Sequence, residues 1–129
     1  ALIRKREKPL IGICGGFQAI SVAFGGKLYY RPEGVGGVVD IEVIKPESIF
    51  GEQNNFKVFE SHKFFIEQTP PGLIALARSS FNIEVIKHAS RPIYGFQFHP
   101  EVSDPENNGS AIFHGFMASV VGEVKSDYK

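Results

Sequence analysis

The stretch KPLIGICGGFQAISVAFGG, residues 8–26, contains the single cysteine of the chain, Cys14, between Gly12 and Gly16. Its first half is a short unbroken apolar run, which is typical of a strand buried on both faces. Its second half places apolar residues at helical spacing up to the glycine pair at 25–26, a common helix end. The stretch therefore predicts a strand, a tight turn and a helix, which is the unit of α/β folds.

The rest of the chain predicts further strands and one terminal helix. Its middle part is rich in β-branched and aromatic residues, in short segments separated by Pro, Gly and Asn. PIYGFQFHP, residues 92–100, predicts a strand that ends at His99, because proline stops strand pairing. An apolar stripe over residues 110–121 predicts a helix. Since no repeat or linker is visible, residues 1–129 are predicted to form one α/β domain.

Composition excludes several classes of function. The chain has 14 basic and 14 acidic residues and no net charge, so a dominant nucleic-acid-binding surface is not expected. No apolar run approaches the roughly 18 residues of a membrane span. A single cysteine cannot form an internal disulfide, and no cysteine–histidine cluster has the spacing of a metal site. We therefore expect a cytoplasmic protein without a bound metal that binds neither nucleic acid nor membrane.

The glycines around Cys14 match the nucleophile elbow, a G-x-nucleophile-x-G segment that joins a strand to a helix. Such a turn needs neighbours without side chains, and the helix N-terminus favours the thiolate, which is the reactive form of cysteine. The amide of Gly15 points off the turn and can donate to an oxyanion. The alternative is a structural cysteine beside loop glycines, but the strand–turn–helix context favours a nucleophile.

His99 and Glu101 can supply the base that a thiolate nucleophile needs. They lie two residues apart in QFHPEV, residues 97–102, at a strand end, so both side chains can leave on the same side. Glu101 can then orient one imidazole nitrogen of His99 while the other faces the thiol. The alternative is a surface histidine near a loop glutamate.

The other histidines have less specific settings. His62 ends a β-rich segment and could face the same edge as the nucleophile, with a structural role as the alternative. His88 is predicted in a solvated loop, and His114 on the terminal helix.

At these motifs the sequence resembles the class I glutamine amidotransferases, whose triad is Cys-His-Glu. GICGGFQ, residues 12–18, is similar to their elbow, and YGFQFHPEV, residues 94–102, to their second signature. ESHK, residues 60–63, resembles the segment with which the family holds its substrate. The motifs occur in family order over essentially the whole chain. Within the family they look most like the amidotransferase subunit or domain of GMP synthetases.

The resemblance implies a fold and a set of residue roles. The fold would be an open, mostly parallel, flavodoxin-like α/β sheet with flanking helices, and the site would lie at the carboxyl ends of the strands. The catalytic residues would be Cys14, His99 and Glu101. The residues that bind the substrate, L-glutamine, would be Gly15, Gln18, Ser61 and His62.

The implied reaction is hydrolysis of the glutamine side-chain amide through a cysteine thioester. Ammonia would pass to a synthetase partner, an ATP pyrophosphatase subunit or domain that makes GMP from XMP. The chain contains no G-x-x-x-x-G-K-[ST] phosphate loop, so no cofactor is expected here, and ATP and Mg²⁺ are expected on the partner. Two alternatives stay open: a γ-glutamyl hydrolase or peptidase on the same scaffold, and a non-catalytic amidotransferase-like partner.

Relatives in the family carry further strand–helix units ahead of the elbow strand. By resemblance, these include a Gly-Gly-Pro loop that supplies a second oxyanion donor. The sequence begins instead at ALIRKREK, so it corresponds to the C-terminal two-thirds of such a domain, with sheet edges left uncovered. We expect the chain to be part of a longer protein or to be completed by another chain.

Overall fold

The computed structural model describes residues 9–50 and 54–98, which form six strands and one α-helix. The strands are β1 (Leu10–Ile13), β2 (Tyr29–Val43), β3 (Asn55–Phe65), β4 (Leu73–Arg78), β5 (Ile83–His88) and β6 (Ile93–Phe96). Helix α1 (Gly15–Ala23) follows β1, and a 3₁₀ turn (Ser48–Phe50) precedes β3. No helix in these ranges has the length and apolar character needed to cross a membrane. His99, Glu101 and the predicted helix at 110–121 lie outside the described residues.

The sheet has the strand order β1-β6-β5-β4-β2-β3. β1 pairs parallel with β6, whereas the four other pairings are antiparallel. The α/β class is therefore confirmed, but the described sheet is mixed rather than mostly parallel. A parallel pair needs a crossover of about a dozen residues or more, and connections such as residues 79–82 and 89–92 are too short for one.

Helix α1 lies close against the β1–β6 pair because glycine occupies both strands beneath it. Gly12 and Gly95 are paired in register. A Cβ atom at Gly12 would lie 2.5 Å from the backbone of Gly16, and one at Gly95 would lie 2.8 Å from the ring of Phe17. Side chains at these positions would push the helix away from the strands.

Two apolar clusters hold the layers together. One lies beneath α1 and contains Phe17, Ile20 and Ile86. The other packs the β2–β3 ribbon, formed by those two strands, against the central strands, with Val58 and Val85 both fully buried. β2 joins β4 through only two residue pairs, so the ribbon can fold over strands that are not its neighbours in the sheet order.

We expect Gly12→Ala to destabilise the fold, because the added methyl would meet backbone atoms that cannot rotate away. The free energy of unfolding should fall by roughly 1–3 kcal/mol, the usual effect of overpacking. Urea denaturation measures this change.

The matched control is Gly36→Ala on β2, where a Cβ atom would meet nothing within 4 Å. It should change the free energy of unfolding by about 0.5 kcal/mol or less. Equal losses in the two variants would contradict the close approach of α1 to β1.

Candidate active site

Cys14 is the turn residue between β1 and α1, as the glycine pattern predicts. Its backbone has φ 53° and ψ −101°, and no other non-glycine residue in the described ranges has a positive φ. The turn is held by two hydrogen bonds: the Cys14 amide donates to the Phe96 carbonyl at 2.8 Å, and the Gln18 amide donates to the Cys14 carbonyl at 3.1 Å. An L-residue with a side chain is strained at this φ, and such strain is a recurrent feature of functional turns.

The Cys14 sulfur faces two other parts of the chain. It lies 3.9 Å from the Ser61 carbonyl oxygen on β3, and the Gln97 side-chain amide donates to it at 3.7 Å. Gln18 joins these elements, since its Nε2 donates to the Phe64 carbonyl at 3.1 Å and lies 3.4 Å from Gln97 Oε1. The elbow, the middle of β3 and the residue after β6 therefore meet at the thiol.

The approach to the elbow is open at Gly15. This residue is exposed, and a Cβ atom built on it would meet nothing within 4 Å. Its amide belongs to the first turn of α1, where N–H groups have no acceptor within the helix. A carbonyl group placed over Cys14 could therefore accept a hydrogen bond from this amide.

The structure brings together Cys14, Gly15 and Gln18 on the elbow with Ser61 on β3. His62 lies next to Ser61, but its side chain is only 3% exposed and turns into the protein. The roles predicted for His99 and Glu101 concern residues outside the described ranges. Within those ranges, no group of three or more His, Cys, Asp or Glu side chains is arranged to hold a metal ion.

His62 is held at both ring nitrogens. Nδ1 lies 2.9 Å from the Phe64 carbonyl oxygen, and Nε2 lies 2.6 Å from Glu60 Oε1. A carbonyl can only accept, so Nδ1 carries a hydrogen. Burial lowers the pKa of His62, and the hydrogen bond to Phe64 opposes that shift in part.

A buried carboxyl pair lies behind His62. Glu60 on β3 and Glu84 on β5 are both 0% exposed, and each lies close enough to the other to shift its pKa. Ser79 Oγ donates to Glu84 Oε2 at 2.6 Å. Burial raises the pKa of Glu60 above its ordinary value. Burial, followed by the neighbouring Glu60, raises the pKa of Glu84 well above its ordinary value.

The sequence motifs did not identify Gln97, Glu60 or Glu84 as residues in or beside the thiol site. Gln97 lies inside the quoted QFHPEV motif, two residues before His99. Glu60 continues the inward-facing series of Phe56 and Val58 along β3, and a charged residue on the buried face of a strand is the signal that could have identified it.

Comparison with known proteins gives a consistent assignment. The family model for class-I glutamine amidotransferases matches residues 1–119. Over 118 residues the chain is 42% identical to a glutamine-hydrolyzing GMP synthase subunit of Thermococcus kodakarensis, covering 90% of this chain and 62% of that protein. The corresponding subunit of Methanothrix thermoacetophila is 41% identical, with 89% and 64% covered. The chain thus spans less than two-thirds of the length of these relatives.

Solved structures show the same fold. A Thermoplasma acidophilum protein described as a GMP synthase subunit superposes with a TM-score of 0.80 at 30% identity, over 94% of this chain and 61% of that chain. A glutamine amidotransferase from Thermotoga maritima superposes with a TM-score of 0.67 at 21% identity, over 98% and 53%. At that lower identity the likeness concerns the fold alone.

We expect Glu84→Gln to become relatively more stable than the wild type as pH rises. The folded chain keeps the Glu84 proton above the ordinary pKa of 4.5, where the unfolded chain releases it. The stability from Glu84 is therefore complete below pH 4.5 and is lost as pH rises through the folded-state pKa. A neutral amide removes that loss, which amounts to at most about 1.4 kcal/mol per pH unit for one proton.

The measurement is urea denaturation of both proteins from pH 4 to pH 9. Glu33→Gln, which removes an exposed carboxylate on β2, is the matched control. If the pH dependence of Glu84→Gln matched that of Glu33→Gln, Glu84 would not hold a proton in the folded chain.

Proposed function

The chain belongs to the class-I glutamine amidotransferase family, and from this we propose that it hydrolyses the side-chain amide of L-glutamine to glutamate and ammonia. The observation that carries the proposal is the setting of Cys14. Its sulfur stands at the N-terminus of α1 in a strained turn and contacts Ser61 and Gln97, beneath the open approach at Gly15.

In the first step, the Cys14 thiolate attacks the γ-carbonyl carbon of glutamine and forms a C–S bond. The negative charge moves to the carbonyl oxygen, which the Gly15 amide can stabilise. The Gln97 amide, which donates to Sγ at 3.7 Å, favours the thiolate before attack. Collapse of the tetrahedral intermediate breaks the C–N bond and leaves a thioester.

His99 and Glu101 would supply the proton transfers. His99 would protonate the departing ammonia and then take a proton from the water that attacks the thioester, which returns Cys14 to the thiolate. Glu101 would orient and stabilise the imidazole. Support for these roles comes from the sequence, in which His99 follows Gln97 by two residues.

Gln18, Ser61 and His62 would form the rest of the glutamine site in different ways. Ser61 is exposed beside the sulfur, so it can contact the substrate directly. Gln18 is bound to the Phe64 carbonyl, and His62 is buried. Their contribution is therefore to hold the Ser61–Phe64 segment in place.

We also propose that the ammonia serves GMP synthesis from XMP. Support comes from the relatives, which are subunits of glutamine-hydrolysing GMP synthases. A synthetase partner of the ATP pyrophosphatase type would bind ATP and Mg²⁺ and receive the ammonia. The reaction would take place in the cytoplasm, where the thiol stays reduced.

Replacing the nucleophile tests the glutaminase proposal. Cys14→Ala should lower ammonia release from glutamine by about 10³-fold or more, and it should abolish covalent labelling by a glutamine-analogue electrophile. Ser90→Ala, an exposed loop change, should leave both unchanged. Cleavage of γ-glutamyl peptides without ammonia release from glutamine would instead support the hydrolase alternative, and no labelling of the wild type would support a non-catalytic partner.

Coupling to a partner is tested by comparing ammonia release with and without the synthetase subunit, XMP and ATP. We expect a low rate for the chain alone and a clear rise with the partner, because ammonia released without a synthetase has no acceptor. Cys14→Ala should show no rise. Equal rates in the presence and absence of the partner would contradict coupling.

A further inference from the structure

The Glu60–Glu84 pair connects two strands that are not neighbours in the sheet. Glu60 lies on β3 and Glu84 on β5, and the strand order places β4 and β2 between them. Their contact therefore forms only because the β2–β3 ribbon folds over the central strands. Both carboxyl groups are fully buried in this contact. Because water cannot reach them, their hydrogen bonds have to come from other protein groups.

Hydrogen bonds account for two of the four carboxyl oxygens. Ser79 Oγ donates to Glu84 Oε2 at 2.6 Å, and His62 Nε2 lies 2.6 Å from Glu60 Oε1. Glu60 Oε2 and Glu84 Oε1 are buried and receive no N–H or hydroxyl hydrogen from the described chain. Two ionised carboxylates would leave both oxygens unsatisfied and place like charges together. A proton held between the two groups removes both penalties.

The cluster is electrically neutral when it holds two protons among Glu60, Glu84 and His62 Nε2. Either both carboxyls are protonated and His62 is neutral, or one carboxyl is protonated and His62 is an imidazolium. Burial raises the pKa of both glutamates and lowers that of His62, which favours the first state. Glu60 and Glu84 are the titratable groups that act on His62 in the described chain.

The first state forms a continuous chain of donors and acceptors. Ser79 donates to Glu84, and the two oxygens without another partner, Glu84 Oε1 and Glu60 Oε2, are left for a bond from Glu84 to Glu60. Glu60 then donates to Nε2 of His62, and Nδ1–H donates to the Phe64 carbonyl. Every group in the chain then gives one hydrogen and receives one, apart from its ends. Such a chain is directional and fixes the imidazole in the Nδ1–H tautomer.

Two members of the chain, Phe64 and Glu84, connect it to the thiol site. The Phe64 carbonyl also accepts from Gln18 on the elbow. The backbone carbonyl of Glu84 accepts a hydrogen bond from the backbone amide of Gln97 at 2.8 Å, and the side chain of Gln97 donates to Cys14 Sγ. The segments that face the sulfur from β3 and from the end of β6 are thus connected through Glu84.

We propose that Glu84 holds a proton that it donates to Glu60, and that Glu60 holds a second proton that it donates to Nε2 of His62. Both are positioning residues, which hold neutral His62 in the Nδ1–H tautomer and thereby hold the Ser61–Phe64 segment against Cys14. The effect on catalysis rests on the proposed glutaminase function. The two carboxyl protons and the tautomer do not, because they concern the resting protein.

The test uses amide and apolar variants of the full chain. In Glu60→Gln/Glu84→Gln, each amide can donate and accept in the same direction as the protonated carboxyl that it replaces. This double variant should keep neutral His62 with hydrogen on Nδ1, observed by ¹⁵N NMR of the imidazole at pH 7. Glutaminase kcat/KM should stay within about threefold of the wild type, less than 1 kcal/mol.

The apolar variant Glu60→Leu removes the donor to His62 Nε2. We expect loss of the single-tautomer NMR signal and at least a tenfold fall in kcat/KM, mostly through KM, because the affected segment is the proposed glutamine site. The matched control is Glu33→Leu, an exposed position on β2, which should leave both readouts unchanged. If the double amide variant keeps the His62 signal and kcat/KM while Glu60→Leu loses both, the hydrogen bonds of the pair position His62. A purely packing role would not distinguish the variants in this way.

Three results would overturn the proposal: an imidazolium or Nε2–H tautomer of His62 in the wild type, a double amide variant as impaired as Glu60→Leu, or unchanged kinetics in Glu60→Leu. If Glu60→Leu does not fold, the NMR of the wild type and of the double amide variant still decides the matter. Absence of ammonia release from the wild type would overturn the glutaminase function, while the tautomer measurement would remain decisive for the protonated carboxyl pair.

Discussion

The close approach of α1 to the β1–β6 pair is the constraint on which the rest of the described structure depends. Gly12 and Gly95 lie opposite each other, and neither has room for a methyl group. This approach lets the chain reverse from strand to helix within one residue, Cys14, at the cost of a positive φ. It also brings the end of β6, and with it Gln97, to the sulfur.

The thiol site also requires that the β2–β3 ribbon fold over the central strands. Strands β1 and β3 are at opposite edges of the sheet order, yet Ser61 on β3 contacts the thiol that follows β1. Apolar burial, with Val58 and Val85 fully enclosed, drives this closure. The same closure buries the carboxyl group of Glu60. A buried polar atom without a hydrogen bond costs about 1–3 kcal/mol, so Glu60 needs a partner on the central strands.

Much of the local structure could be predicted from sequence. The strand, the turn at Cys14 and the helix that ends before the glycine pair follow from glycine placement and apolar spacing, and all three are present. The resemblance predicted a mostly parallel sheet, but the described sheet is mixed. Short connections force neighbouring strands to run antiparallel, and the prediction did not take the connection lengths into account. For His62 the pattern offered two roles, and its burial beside Glu60 reflects a contact between layers.

The sequence by itself determined the chemistry of the chain: one cysteine in an elbow, the ESHK and QFHPEV motifs, and membership of an amidotransferase family. Tertiary structure alone decided which groups meet. Glu60 and Glu84 are 24 positions apart in the sequence and on strands that do not pair, so no local pattern relates them. They meet only because the β2–β3 ribbon packs against the central strands. When the apolar faces of two layers pack together, side chains on those layers become neighbours, whatever their separation along the chain.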